Sequence, residues 1–181
     1  MTRAPTPPRS GVRRVRVIGL GSPLGDDRVG WEVVDGLLPH LGPGAAPPGI
    51  EIEVLALDRP GADLGRHLAD ADLVVLVDAL VDGGPAGRVR RLTATEVAAA
   101  SAAAGASTHG FGVAEALRLA AALDPDGPSI WLVGIGIAGG RATPEASLST
   151  EVAAAVGIAC RMVVDTIRAP PTSDRGPPPA P

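Results

Sequence analysis

Apolar positions follow two rhythms along this chain: short continuous or alternating runs, and longer stretches with spacings of three and four. Val15-Arg16-Val17-Ile18-Gly19-Leu20 predicts a buried strand that ends in a glycine-rich loop. Over residues 28–38 the apolar side chains Val29, Val33, Val34, Leu37 and Leu38 recur at helical intervals. A Pro/Gly loop at 42–49 leads into an alternating strand at 50–57, and residues 62–69 read as a short helix. Residues 73–77 form an unbroken Leu/Val run, as expected of a central strand covered on both faces. Val and Leu alternate with Arg over 87–92, which suits a half-exposed edge strand. Thr93-Ala94-Thr95-Glu96 has the form of a capping box, in which the Thr and Glu side chains reciprocally satisfy free backbone donors, and an Ala-rich helix follows it. A helix at 112–123, a buried strand at 130–137 and a long closing helix at 148–168 complete the pattern.

Strands alternating with helices predict an α/β domain with a mostly parallel sheet and helices on both faces. The link from Val77 to Gly87 is too short for a helical crossover, so one of the strands it joins is expected to be antiparallel. At 181 residues, 45% hydrophobic, the chain has the material for one ordinary core. The expected folded body is 12–168. It is flanked by an unstructured Pro/Arg-rich extension at 1–11 and an unstructured Pro-rich tail at 169–181.

The formal net charge of -4 gives no basis for a nucleic-acid partner, and no apolar stretch approaches the length needed to cross a membrane. The opening residues lack the apolar centre of a secretory signal, which places the protein in the cytoplasm. A single cysteine, Cys160, excludes an internal disulfide and a Cys-rich zinc site, and its mid-helix position suits a small core residue better than a nucleophile. Lys, Asn, Gln and Tyr are absent, so polar chemistry falls to Asp, Glu, Arg, Ser, Thr and three histidines, His40, His67 and His109.

Ligands of open α/β sheets bind beyond the carboxyl ends of the strands. The segment after the first strand, Gly19-Leu20-Gly21-Ser22-Pro23-Leu24-Gly25-Asp26-Asp27-Arg28-Val29-Gly30, has a loose dinucleotide-loop spacing. Asp26 and Asp27, however, stand where they would repel a pyrophosphate. One of them, Asp26, is expected to cap the following helix, leaving Asp27 free. Asp78 ends an apolar strand, where a carboxylate is costly to desolvate unless it caps a loop, pairs with a cation or binds metal. His109 stands in a loop between Thr108 and Gly110, as either a surface residue or a ligand, whereas His40 and His67 read as structural. Asp27, Asp78 and His109 would converge on one sheet edge, and two carboxylates with one imidazole suit nickel or zinc with coordination positions left open.

These segments resemble the hydrogenase maturation proteases, whose opening pattern is G-x-G-N-x-L-x-x-D-[DE]-x-x-G between a strand and a helix. Asp78-Ala79 matches the family's D-A at the end of the third strand. Ser107-Thr108-His109 before Gly112-Val113-Ala114-Glu115 matches its helix-opening histidine. Leu132-Val133-Gly134-Ile135 and Leu148-Ser149-Thr150-Glu151-Val152 fit as well, so the resemblance spans most of 15–168. It implies a helix-sheet-helix sandwich with a five-stranded mixed sheet. It also implies an endopeptidase that removes a C-terminal peptide from the large-subunit precursor of a nickel-iron hydrogenase. Nickel carried by that substrate would be the recognition signal, with zinc or another divalent ion able to substitute in isolation. The resemblance assigns Asp27, Asp78 and His109 to metal contact and catalysis. It assigns the turn containing Asp58 and Gly61 to substrate binding.

The chain departs from the pattern in four places. Ser22 replaces Asn, and the loop before Asp26 is one residue short. Asp58-Arg59-Pro60-Gly61 replaces D-G-G-T, and Gly134-Ile135-Gly136-Ile137 replaces G-I-[QE]-P. Two other classes of function compete with the protease reading: a nickel-sensing module without proteolysis, and a nucleotide-binding domain built on the Gly19/Gly21/Gly25 loop.

Overall fold

A computed structural model describes residues 11–41, 46–103, 112–139 and 147–169. The strands are β1 (Arg13–Gly21), β2 (Ile50–Asp58), β3 (Leu73–Leu80), β4 (Val89–Thr93) and β5 (Ser129–Gly136). The helices are α1 (Val29–Leu41), α2 (Leu64–Leu68), α3 (Ala94–Ala103), α4 (Val113–Leu123) and α5 (Thr150–Arg168). The sheet runs β2-β1-β3-β5-β4. All neighbours are parallel except β4, which pairs antiparallel with β5, so the short link after β3 has the expected consequence. The expected three-layer α/β architecture with a mixed five-stranded sheet is the one observed.

Side chains alternate across each strand, and the two faces collect separate cores. Val15, Val17, Leu73, Val75, Val77, Val133 and Ile135 join one core with α1 and α5. On α5 the stripe Val152, Ala155, Ala159, Val163 and Ile167, spaced three and four apart, meets this face. Ile18, Leu20, Val74, Leu76, Leu92 and Leu132 form the other core with Leu64 and Leu68 of α2, Val97 of α3, and Ala114, Ala116 and Leu117 of α4. A continuous apolar run thus resolves into a period of two that serves both layers.

The capping box forms as expected. The Thr93 N–H donates to Glu96 Oε2 at 2.7 Å, and the Glu96 N–H donates to Thr93 Oγ1 at 3.1 Å. Thr93→Ala removes the acceptor for the Glu96 N–H and should cost about 1 kcal/mol in chemical denaturation. An unchanged midpoint would show that this helix start adds nothing to stability.

β3 continues three residues past Val77, so Asp78 lies within the strand rather than after it, paired in register with Gly134 of β5. A Cβ at Gly134 would overlap the Leu80 side chain, and the missing side chain leaves room for the strand to continue. The expected unstructured segments at 1–11 and 169–181 lie outside the described residues except for Gly11 and Ala169.

Candidate active site at the carboxyl edge of the sheet

Three glycines shape the loop after β1, for reasons of packing. A Cβ at Gly19 would overlap the Gly30 carbonyl, one at Gly21 the Asp27 carbonyl, and one at Gly30 the Leu20 carbonyl. Their bare Cα atoms let the N-terminus of α1 rest directly on the end of β1 and against Val77 of β3. Close packing of this kind is shared with dinucleotide loops, and what speaks against a pyrophosphate here is the acidic pair Asp26 and Asp27 at the turn. Between Gly21 and α1 the chain makes one 3-10 turn, Gly25–Arg28. The Asp27 N–H donates to the Leu24 carbonyl at 3.1 Å, and the buried Ser22 returns an N–H to the Asp27 carbonyl at 3.3 Å.

The two acidic residues of this turn have separate environments. Asp26 does not cap α1. Its carboxylate crosses to the opposite end of the chain, where Oδ1 accepts the Ser149 N–H at 2.6 Å and Oδ2 accepts the Ser149 hydroxyl at 2.9 Å. Ser149 is the residue at the start of α5. Local capping preference cannot reveal a bond spanning 123 positions, although Ser149 ahead of Thr150-Glu151 does read as a helix start in the sequence. Asp27 makes no such bond among the described residues, and its charge is felt by both Asp78 and Arg59.

Asp78 is the perturbed group of the site. Burial pushes its carboxyl up to about 7, an N–H bond from Ala79 at 2.9 Å partly opposes the rise, and the negative charge of Asp27 adds to it. By strand alternation Asp78 shares a face with Leu76 and Leu80, the face covered by α2, α3 and α4. His109 precedes α4 by four positions and lies outside the described residues, as do Ser107 and Thr108. Among the described residues, no group of three or more His, Cys, Asp or Glu side chains is placed to hold a metal ion. Asp27 and Asp78 therefore stand as an acidic pair. His40 ends exposed in the last turn of α1, and His67 lies in α2, where its carbonyl accepts a bond from Arg16, so both are remote from any ligand role here.

The turn after β2 closes the same edge. Asp58 stands opposite Gly21 in the β1–β2 register, and the Arg59 N–H donates to the Gly21 carbonyl at 3.1 Å. Arg59 has φ 41°, a left-handed conformation in which glycine is far more common, and its Nε pairs with Asp58 Oδ1 at 2.7 Å. The Asp58 bond and charge raise the guanidinium pKa, with a smaller contribution from Asp27. Sequence reasoning assigned this turn through Asp58 and Gly61. The structure adds Arg59 as the residue that ties it to the acidic loop. Gly61, at φ 53°, opens the short turn before α2.

Comparison with known proteins bears on the family and the fold. The sequence matches the hydrogenase maturation protease family over residues 50–166, a span that contains Asp58, Asp78, His109 and Ser149 and begins after Asp27. No curated protein matches by sequence. Among solved structures, the hydrogenase maturating endopeptidase HybD from E. coli is 25% identical with a TM-score of 0.70, covering 86% of this chain and 92% of its own. The hydrogenase maturation protease HybD from Thermococcus kodakarensis is 25% identical with a TM-score of 0.64, over 84% of this chain and 98% of its own. A hydrogenase 2 maturation peptidase from Thaumarchaeota archaeon SCGC_AB-539-E09 is 27% identical with a TM-score of 0.56, over 86% and 99%.

Proposed function

The chain belongs to the hydrogenase maturation protease family and is an endopeptidase of hydrogenase maturation, and we propose that it removes a C-terminal peptide from the large-subunit precursor of a nickel-iron hydrogenase, reading nickel carried by that substrate. The observation that supports this reading is Asp78, a carboxyl pushed up to about 7 inside a strand, with a second carboxylate close enough to raise it further. Such a pair resists full ionisation on its own and gains from an arriving cation. Asp27 and Asp78 would contact the metal together with His109, and two oxygens and one nitrogen suit nickel, or zinc in its place. Three protein ligands leave positions open for substrate, so the isolated chain should bind metal weakly.

Asp27, Asp78 and His109 would hold a divalent ion at this edge, where it would supply Lewis-acid polarisation of a carbonyl or acidification of a water. The chain's own part is to orient the peptide and to move the proton. A group near 7 gives up and accepts protons at working pH, which suits Asp78 to general-base duty when it is not engaged by metal. The turn at Asp58 and Gly61, with Arg59, would contact the substrate. No described helix is long and apolar enough to cross a membrane, and we place the reaction in the cytoplasm.

The test is incubation with a matching nickel-loaded precursor, scored by mass spectrometry for loss of the C-terminal peptide. Asp27→Ala should abolish processing while leaving the thermal transition in place, because Asp27 belongs to neither apolar core. Cleavage by Asp27→Ala at the wild-type rate would remove Asp27 from the site. An inert wild type would overturn the substrate assignment.

A further inference from the structure

We propose that Asp26 is a positioning residue for the reaction, holding Asp27 beside Asp78 by latching the first loop to the start of α5. The inference rests on the reading above that Asp27 acts in the site. Both oxygens of Asp26 are engaged by one residue, Ser149, through its N–H at 2.6 Å and its hydroxyl at 2.9 Å. Bonds to an ionised carboxylate are roughly twice as strong as neutral ones, and a negative charge at a helix N-terminus complements the helix dipole. The anchor is firm, because the first apolar residue of α5, Val152, is fully buried in the core under the sheet.

Asp27 is the next residue along. Its carbonyl accepts the Ser22 N–H and lies against Gly21, while its N–H is tied to the Leu24 carbonyl. The 3-10 turn is therefore fixed on one side by the end of β1 and on the other by Asp26. If the latch is released, the turn keeps its bonds to β1 and its continuation into α1 but loses its tie to α5, and the Asp27 carboxylate can shift relative to β3. Two adjacent acids thus divide the work, one facing the chemistry and the other holding it in place. Misplacement of a reacting group by about 1 Å is enough to cost roughly a hundredfold in rate.

The experiment uses the full chain as wild type, Asp26→Ala, Asp26→Asn, Ser149→Ala and the Asp26→Ala/Ser149→Ala double variant. Two measurements are made: kcat and KM on the nickel-loaded precursor, and amide hydrogen exchange over residues 21–28 without substrate. Asp26→Ala should lower kcat at least about tenfold with KM little changed, and should speed exchange in the loop. Asp26→Asn should recover most of the rate, because its amide oxygen still accepts the Ser149 N–H and its NH2 donates to the hydroxyl. The double variant should be no slower than Asp26→Ala alone. A fully active Asp26→Ala would overturn the proposal, as would Asp26→Asn being as slow as Asp26→Ala with loop exchange unchanged. So would a rate loss that merely follows the unfolded fraction in a thermal melt. If wild type fails to cut the precursor, the substrate reading falls separately, and loop exchange alone decides the latch: unchanged protection in Asp26→Ala defeats it, and lost protection upholds it.

Discussion

Asp78→Asn should stop precursor processing and, at pH 8, make the protein more stable than wild type. Asn reproduces the shape of a neutral carboxyl and keeps an oxygen for the Ala79 N–H, but carries no charge to a cation and gives up no proton. The stability gain follows from the raised pKa. In the folded chain the carboxyl titrates at about 7, against an ordinary value of 3.8. As pH rises from 4 to 7 the unfolded chain loses this proton first, so the unfolded state binds fewer protons and wild-type stability declines. By about pH 8 the decline is nearly complete, and its size is on the order of 4 kcal/mol. Below about pH 4 both states hold the proton, and the two proteins should converge. Urea unfolding at pH 4, 6 and 8 reads the trend directly. A variant that is no more stable than wild type at pH 8, or one that still processes precursor, would contradict the burial argument or the assignment respectively. The same titration bears on metal binding: a cation entering at Asp78 displaces a proton near 7, in the range where imidazole also titrates. His109→Ala should therefore weaken the pH dependence of nickel affinity without abolishing it.

Gly30→Ala should produce the largest loss of stability from a single methyl group. Helix propensity alone favours Ala by up to about 1 kcal/mol. Against that gain, the new Cβ would overlap the Leu20 carbonyl and come within 2.6 Å of the Val77 carbonyl and 2.8 Å of the Leu20 nitrogen. All three are backbone atoms of central strands, with no flexible side-chain end to yield, so α1 must lift off both strands. Overpacking of this kind typically costs up to about 3 kcal/mol, and here it should reach or exceed that upper figure. In a protein of this length the melting temperature should fall by roughly 6–12 °C. A melting temperature within 2 °C of wild type, in approximate terms, would show that α1 re-seats freely. Processing should fail well before unfolding, because lifting α1 carries the Asp27 turn with it.

The architecture was readable because strand and helix place apolar residues at different periods. The run at 73–77 and the stripe along α5 left little choice of partner face. Loop length alone required one of β3 and β4 to be antiparallel, and the pairing with β5 makes it β4. Asp78 was readable as a costly carboxylate in an apolar strand. Its neighbour across the sheet, Gly134, showed no such signal, since its function is to leave a space for Leu80. The glycines of the first loop were visible as a motif while their cause was not. The spacing suggested a phosphate loop, whereas the contacts show two backbones packed in direct touch. The Asp26–Ser149 bond lay beyond any local pattern, because neither residue marks the other in the sequence. The left-handed Arg59 was hidden for a related reason: its conformation is imposed by the β1–β2 edge, and no preference of an Arg-Pro pair for that conformation announces it.

The near ends of the described chain are stitched together. Arg13 Nη1 donates to the Ile167 carbonyl at 2.9 Å and to the Ala169 carbonyl at 3.3 Å, and Asp26 meets Ser149. Contacts of such long sequence separation carry their loop-closure entropy up front, and topologies rich in them fold slowly. During synthesis β1, β2 and β3 emerge first and can begin to pair, but the partner of Asp26 leaves the ribosome only with α5. A nascent chain, or one truncated before residue 149, therefore lacks the fastening of its acidic loop. With Asp26 acting as the latch proposed above, competence to cut would arrive only with the last helix, and an unfinished copy would be held inert by the order in which it is made.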